Sequence, residues 1–148
     1  MIPMKKKRYT KTIRASQVKE PEENYKAFNE WMYQADYDYE TAQAMFKSKR
    51  YVYCIFMCHL SLEKALKALL ISKQNVFPSK THNLLYFVEK LKLQLPEEYH
   101  KFVFRLNDVS IPTRYPEDLR KLIRVYTKSQ TQELLVKTKE LLQWIKEQ

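Results

Sequence analysis

The chain of 148 residues has the length of one domain, and its apolar fraction of 45%, with 14% aromatic residues, is sufficient for a hydrophobic core. It contains no glycine, which excludes the glycine-rich loops that bind phosphates and the Asn-Gly or Asp-Gly turns of β-hairpins. Lysine and arginine (27) outnumber aspartate and glutamate (17), so the chain is basic, with a net charge of +10. Because strand-rich folds depend on tight turns that favour glycine, this composition predicts an all-α protein.

Residues 1–27 are predicted to form a basic N-terminal arm, because they contain two prolines and no sustained helical periodicity. The charged residues of 1–20 give a net charge of +6, from Lys5, Lys6, Lys7, Arg8, Lys11, Arg14 and Lys19 against Glu20. Such an arm either attracts phosphates or is a solvated terminus that aids solubility. The remaining residues, 28–148, are predicted to form one helical domain.

The sequence contains no signal for secretion or membrane insertion. No apolar stretch follows Lys5–Arg8, as one would in a secretory signal. The longest uncharged apolar run, Tyr51–Leu62, is shorter than the roughly 20 residues that a transmembrane helix needs. We therefore expect a cytoplasmic protein that does not enter a membrane.

Two helices are predicted in the first half of the domain. Helix 1, over about 28–48, has apolar residues at three- and four-residue spacing, namely Trp31, Ala35, Tyr39, Ala42 and Phe46. Helix 2, over about 51–73, is apolar on all sides at its start, which is typical of a central buried helix. Cys54 and Cys58 could ligate a metal together with His59, but no second Cys/His cluster exists, and a stable site needs three or four ligands. We therefore expect two buried, small apolar side chains.

Three more helices are predicted in the second half. Thr81 is a predicted N-cap for helix 3, and Leu95-Pro96-Glu97-Glu98 has the proline and acidic residues typical of a first turn, here of helix 4. Residues 107–118 contain two prolines and no clear period, so a loop or broken helix is expected there. Helix 5, over about 129–147, has Ser129 as a possible cap. The sequence thus predicts a five-helix up-and-down bundle.

Five short stretches, in this order, resemble the HEPN family (higher eukaryotes and prokaryotes nucleotide-binding domain). They are Trp31 with Ala35-Asp36; Phe56 with Ser61-Leu62-Glu63-Lys64-Ala65-Leu66-Lys67-Ala68-Leu69; Thr81-His82-Asn83-Leu84; Leu95-Pro96; and Arg114-Tyr115-Pro116-Glu117-Asp118. The resemblance spans about 28–147 and implies a five-helix bundle that pairs as a homodimer. It also implies a role in nucleotide or RNA biology, commonly beside a nucleotidyltransferase of the MNT type in toxin–antitoxin systems.

Many HEPN proteins are metal-independent ribonucleases whose motif is an arginine followed, after four to six residues, by a histidine. A histidine can move the proton of a ribose hydroxyl, and an arginine can hold the phosphate and stabilise its developing charge. No arginine stands at the required distance before His59, His82 or His100. Arg114 matches the family's arginine, but the positions for its histidine hold Leu119, Arg120 and Lys121. Since lysine and arginine are poor bases at neutral pH, the incomplete motif argues against cleavage. The remaining catalytic alternative pairs Arg114 with His82.

A binding site is the leading interpretation of this segment. The candidate nucleotide- and phosphate-binding residues are Arg114, Tyr115, Asp118, Arg120, Lys121 and Arg124, with His82 expected nearby. Cations can bind phosphates while a tyrosine ring stacks on a base. Three alternatives stay open: a solvated basic face, a structural clasp in which Asp118 pairs with an arginine, and a helical adaptor that binds a protein or nucleic acid through its arm. No cofactor or metal is expected.

Two further charged pairs have four-residue spacing on predicted helices. Asp36 and Glu40 could act as a metal-binding or acid/base pair, but such pairs are more often a solvated edge or partners in salt bridges. Glu63 and Lys67 are predicted to form an ion pair that supports helix 2 locally.

Overall fold

The computed structural model describes the backbone of residues 21–148, with side chains from Tyr25 onward. The basic residues of the predicted arm that fall within 1–20 lie outside the described residues. The helices are α1 (Pro21–Lys47), α2 (Tyr51–Gln74), α3 (Leu84–Lys90), α4 (Glu97–Arg114), α5 (Leu119–Val125) and α6 (Lys128–Lys146). The all-α prediction is confirmed, whereas the predicted count of five helices falls short of the six that the described residues form.

Helix α2 lies at the centre of the bundle, as its apolar sequence predicts. It packs along α1 and also contacts α3, α4, α5 and α6. Its buried side chains run from Val52 to Ile71, so nearly the whole helix is shielded from water. Ala35 and Ala42 of α1 are fully buried, and the Ser61 hydroxyl donates a hydrogen bond of 2.7 Å to the carbonyl of Ala35. Small side chains thus allow α1 and α2 to pack closely.

Helix α1 begins at Pro21, earlier than the predicted start near Phe28. Its first residues, Pro21-Glu22-Glu23, have the same order as Pro96-Glu97-Glu98, in which Pro96 precedes α4 and the two glutamates begin it. Proline has a backbone angle that already suits the first helical position, so this order of residues favours a helix start. The part of the predicted arm from residue 21 onward is therefore helical.

Helix α4 continues to Arg114, through part of the segment that was predicted to be a loop or broken helix. Pro112 removes one backbone donor from the helix, a local cost of about 3 kcal/mol or more. The helix nevertheless buries Leu106, Ser110 and Thr113 at three- and four-residue spacing, which favours a continuous helix. The Tyr126 hydroxyl also donates a hydrogen bond of 2.6 Å to the carbonyl of Val109. Tertiary contacts thus outweigh the local effect of the proline.

The caps of two helices differ from the predicted ones. Asn83, not Thr81, caps α3, because its side-chain oxygen accepts from the backbone N–H of Leu85 at 3.1 Å. Thr127, not Ser129, caps α6 and accepts from the backbone N–H of Gln130 at 3.2 Å. Each observed cap stands two residues from the predicted one, and both pairs of candidates have the polar side chains that caps require.

Among the described residues, no helix is both long and apolar enough to cross a membrane.

Two apolar residues of α6 test which face of this helix belongs to the hydrophobic core. Leu134 is fully buried, whereas Val136 is 51% exposed. We expect Leu134→Ala to lower the free energy of unfolding by about 2–5 kcal/mol, since it removes buried apolar atoms and leaves a cavity. Val136→Ala should change it by less than about 0.5 kcal/mol. Urea unfolding measures both values, and equal losses would show that this face of α6 is assigned incorrectly.

Candidate functional site

A buried carboxylate, that of Glu63 in the middle of α2, organises the candidate site. The residue is only 3% exposed. Its Oε1 accepts hydrogen bonds from His82 Nδ1 at 2.8 Å and from Arg114 Nη2 at 3.2 Å. Its Oε2 accepts from Lys67 Nζ at 3.2 Å. Side chains from α2, from the segment before α3 and from the end of α4 therefore meet at one group.

His59 lies one helical turn before Glu63 and is 2% exposed. Arg114 Nη2, which can only donate, lies 3.1 Å from His59 Nδ1, so Nδ1 must accept. The ring proton is therefore on Nε2, which donates to Asn107 Oδ1 at 3.3 Å. His59 Nδ1 is also 4.0 Å from Glu63 Oε1, a distance too long for a hydrogen bond. These contacts describe a neutral histidine that orients Arg114.

The electrostatic environment keeps His59 neutral. The pKa of His59 is lowered from 6.5 to about 4, mainly by burial, and the charges of Arg114 and His82 contribute to the lowering. The Glu63 carboxylate and the hydrogen bond to Asn107 raise the pKa, but their effect is smaller than that of desolvation.

Asn107 connects this network to the start of α3. Its Oδ1 accepts from the backbone N–H of Leu84 at 3.2 Å, and its Nδ2 donates to Asn83 Oδ1 at 3.0 Å. The same Asn83 oxygen caps α3. Since His82 immediately precedes this cap, the hydrogen bonds of Asn107 hold the backbone beside His82 in place. The side chain of His82 is 57% exposed, so its ring is accessible to a ligand.

The two cations of the cluster are packed against aromatic rings. The Arg114 guanidinium lies 5.0 Å from the centre of the Phe56 ring, and the side chain is 18% exposed. Lys67 Nζ lies 5.5 Å from the Trp31 ring and 5.8 Å from the Phe87 ring. Both hydrogen bonds of Arg114 use Nη2. Within the described part of the chain, Nη1 and Nε form no hydrogen bond and remain available as donors.

The fold brings Arg114 and His82, the two candidate catalytic residues, to the same oxygen of Glu63. Glu63 and Lys67 form the predicted ion pair, but the pair is buried and connects three parts of the chain rather than supporting one helix locally. His59 and Asn107 were not predicted to take part. The sequence did contain a sign that His59 belongs to this site. His59, Glu63 and Lys67 are polar residues at four-residue spacing, so they share one face of the most apolar helix.

The other candidate binding residues lie apart from this cluster. Tyr115 directly follows Arg114 and is 90% exposed. Arg120, Lys121 and Arg124 are exposed on α5, and no hydrogen bond or ion pair among the described residues links them to Glu63. Helix α5 lies against the first turn of α2, about 15 Å along the helix axis from Glu63.

Asp118 has a structural role in the fold, different from the predicted clasp. Its Oδ1 accepts from the backbone N–H of Lys121 at 3.0 Å and so caps α5. Within residues 25–148, the carboxylate forms no ion pair with an arginine. The clasp at Arg114 instead uses the carboxylate of Glu63.

Cys54 and Cys58 lie in the core, Asp36 pairs across two helices, and Glu40 is an exposed residue of α1. Cys54 and Cys58 are free and fully buried, and both nitrogens of His59 face Asn107 and Arg114 rather than the thiols. Asp36 forms an ion pair with Lys146, which joins α1 to α6. In the part of the chain that the structure describes, no group of three or more His, Cys, Asp or Glu side chains is arranged to hold a metal ion.

Comparison with known families places the chain in a defined class. The sequence model of the HEPN domain family matches residues 28–148, so the chain belongs to the HEPN family. The resemblance seen in the sequence is thereby confirmed. No curated protein matches the sequence significantly.

Two solved structures are similar to this fold. TT1696 from Thermus thermophilus aligns with a TM-score of 0.72 and 26% identity, over 81% of this chain and 96% of that one. ST0689, an archaeal HEPN homologue, aligns with a TM-score of 0.66 and 23% identity, over 80% of this chain and 94% of that one. The helical arrangement is therefore that of HEPN proteins.

The neutral state of His59 predicts a dependence of stability on pH. Because its pKa is about 4 in the folded chain and about 6.5 in the unfolded chain, the unfolded chain binds more protons between these values. This group therefore lowers the free energy of unfolding as the pH falls from 6.5 to 4, by about 3 kcal/mol in total.

His59→Gln removes this titration and retains an amide that can bond to Asn107. Denaturant unfolding of both proteins across this pH window measures the effect. The stability of the wild type relative to His59→Gln should fall as the pH is lowered. A difference that stays constant with pH would contradict a neutral, buried His59.

Proposed function

We propose that this HEPN domain binds a phosphate group of a nucleotide or RNA at the surface formed by Arg114 and His82, without cleaving RNA. The observation that carries the proposal is the convergence of these two side chains on one oxygen of Glu63, at 3.2 and 2.8 Å. A site of this kind is preorganised, because the buried carboxylate holds both donors before a ligand arrives.

The charges of the cluster favour an anionic ligand. Lys67 and Arg114 carry two positive charges against the one negative charge of Glu63, while His59 is neutral. One positive charge is therefore uncompensated within the cluster. The Nη1 and Nε donors of Arg114 lie on different edges of the guanidinium, and each can donate to a phosphate oxygen.

Tyr115 supplies the second element of recognition. Its side chain is 90% exposed directly after Arg114, and among the described residues it forms no hydrogen bond or ring contact. An exposed ring next to a phosphate-binding arginine can stack on a base of any sequence, which contributes about 1–3 kcal/mol per base in single-strand binding. The site would therefore bind nucleotides without strong sequence preference.

The proposal includes the assembly that HEPN membership implies. The chain would form a homodimer in the cytoplasm, and each protomer would contribute one Arg114–His82 surface. Its companion would be a small nucleotidyltransferase of the MNT type in a toxin–antitoxin system. Family membership supports these statements, and the basic charge of +10 is compatible with a phosphate-bearing ligand.

A second candidate function is metal-independent RNA cleavage, and one contact favours it. When His82 is neutral, its Nδ1–H donates to Glu63, which leaves Nε2 as an acceptor on an exposed ring. A carboxylate that fixes the tautomer of a histidine is the arrangement that general bases use. Nε2 could then accept the proton of a ribose 2′-hydroxyl, with Arg114 stabilising the phosphate charge.

One experiment tests the binding proposal and separates it from cleavage. A short, fluorescein-labelled single-stranded RNA is incubated with the protein in EDTA, and anisotropy and a gel report binding and cleavage. We expect bound, intact RNA. Arg114→Gln should weaken binding about tenfold, since a hydrogen bond to a charged group contributes about 1.5–3 kcal/mol.

Arg105→Gln is the matched control, because Arg105 is also on α4 but pairs with the exposed Glu133. His82→Gln is the second variant and changes an exposed side chain, so folding should be retained. Equal binding by Arg114→Gln, His82→Gln and Arg105→Gln would contradict the binding proposal. Cleavage that disappears in His82→Gln would instead establish the second candidate.

A further inference from the structure

A groove lies between the first turn of α2 and helix α5, away from the Glu63 cluster. One wall is formed by residues 49–53, which include Tyr51 and Tyr53, and the other by Leu119 and Ile123. We propose that this groove binds an amphipathic helix of a partner protein, with acidic residues on either side of its apolar face. The inference is independent of phosphate binding at Arg114.

The apolar surface of α5 is unusually exposed. The helix has only seven residues and none is buried. Leu119 is 38% exposed, Ile123 56% and Val125 53%. Isolated helices of this length are unstable in water, so α5 depends on packing. A cluster of exposed apolar side chains beside a groove is typical of an interaction site.

Cations accompany the apolar residues on both walls of the groove. Lys49 and Arg50 stand at the corner between α1 and α2, and both are exposed. Arg120 and Arg124 lie one turn apart on α5, next to the edge that carries Leu119 and Ile123. None of these four side chains forms an ion pair within the described residues. A ligand that supplies carboxylates on both sides would complement this charge.

The shape and chemistry favour a helix over other occupants. Tyr53 offers a ring on one wall, but Leu119 and Ile123 on the other are aliphatic, so the two walls together match the apolar side chains of a peptide better than a stacked base. The chain's own residues 1–20 carry a net charge of +6, which the cations of the groove repel. A helix with leucines at three- and four-residue spacing can lay its apolar face on this groove and place glutamates along both edges.

Binding of designed peptides to the full chain tests the proposal. The probe is a fluorescein-labelled helical peptide with leucines at i, i+3, i+4 and i+7 and glutamates beside them. Control peptides replace each glutamate with lysine or shuffle the order of the residues. We expect the acidic peptide to bind at least tenfold more tightly than either control.

Variants of the protein locate the binding surface. The double change Arg120→Glu with Arg124→Glu should weaken binding of the acidic peptide about tenfold or more. The matched control, Lys128→Glu with Lys139→Glu, makes the same change in net charge on exposed positions of α6 and should have little effect. Ile123→Asp should also abolish binding, whereas Val136→Asp, at a similarly exposed apolar position, should not. Circular dichroism establishes that each variant is folded.

Three results would overturn the proposal. Equal losses in the α5 and α6 charge variants would show attraction by net charge alone. Displacement of the peptide by single-stranded RNA, together with loss of RNA binding in Arg120→Glu with Arg124→Glu, would assign the groove to nucleic acid. Dissociation of a dimer to monomers in Ile123→Asp, measured by sedimentation without peptide, would make a second copy of this chain the occupant.

Discussion

The arrangement of the candidate site depends on the burial of one carboxylate, that of Glu63. An ionised carboxylate in a protein interior is costly unless cations and hydrogen-bond donors surround it. Here Lys67, Arg114 and His82 supply the donors, and each comes from a different part of the chain. Folding the core of α2 therefore also requires the end of α4 and the segment before α3 to converge on this point.

A second layer of contacts fixes the geometry around that carboxylate. His59 accepts from Arg114 and donates to Asn107, and Asn107 in turn holds the cap of α3 through Asn83. Each hydrogen bond in this series has a consistent donor and acceptor only if His59 is neutral, which burial ensures. The groups that stabilise the core thus also orient Arg114 and the backbone beside His82.

Much of the fold follows from local sequence patterns, whereas the centre of the site does not. The apolar spacing of α2 and the Pro-Glu-Glu start of α4 predict helices where they occur, and Pro21-Glu22-Glu23 has the same pattern at the start of α1. Pro112 was misleading because its effect is local, while burial of Leu106, Ser110 and Thr113 depends on distant partners. Arg114 and His82 were identified as candidates from a family resemblance and residue chemistry. Their common contact with Glu63 could not be predicted, since it joins residues 51 and 19 positions apart in the chain.

The central claim is that Glu63 fixes the tautomer and position of His82. Nitrogen-15 NMR of the histidine rings, at a pH where both are neutral, tests it most directly in the wild type and in Glu63→Gln. We expect a proton on Nδ1 of His82 and on Nε2 of His59 in the wild type, and a smaller fraction of the Nδ1–H tautomer of His82 in Glu63→Gln, because an amide oxygen is a weaker acceptor than a carboxylate. A proton on Nε2 of His82 in both proteins would contradict the account, because the buried carboxylate would then have no role in orienting the site.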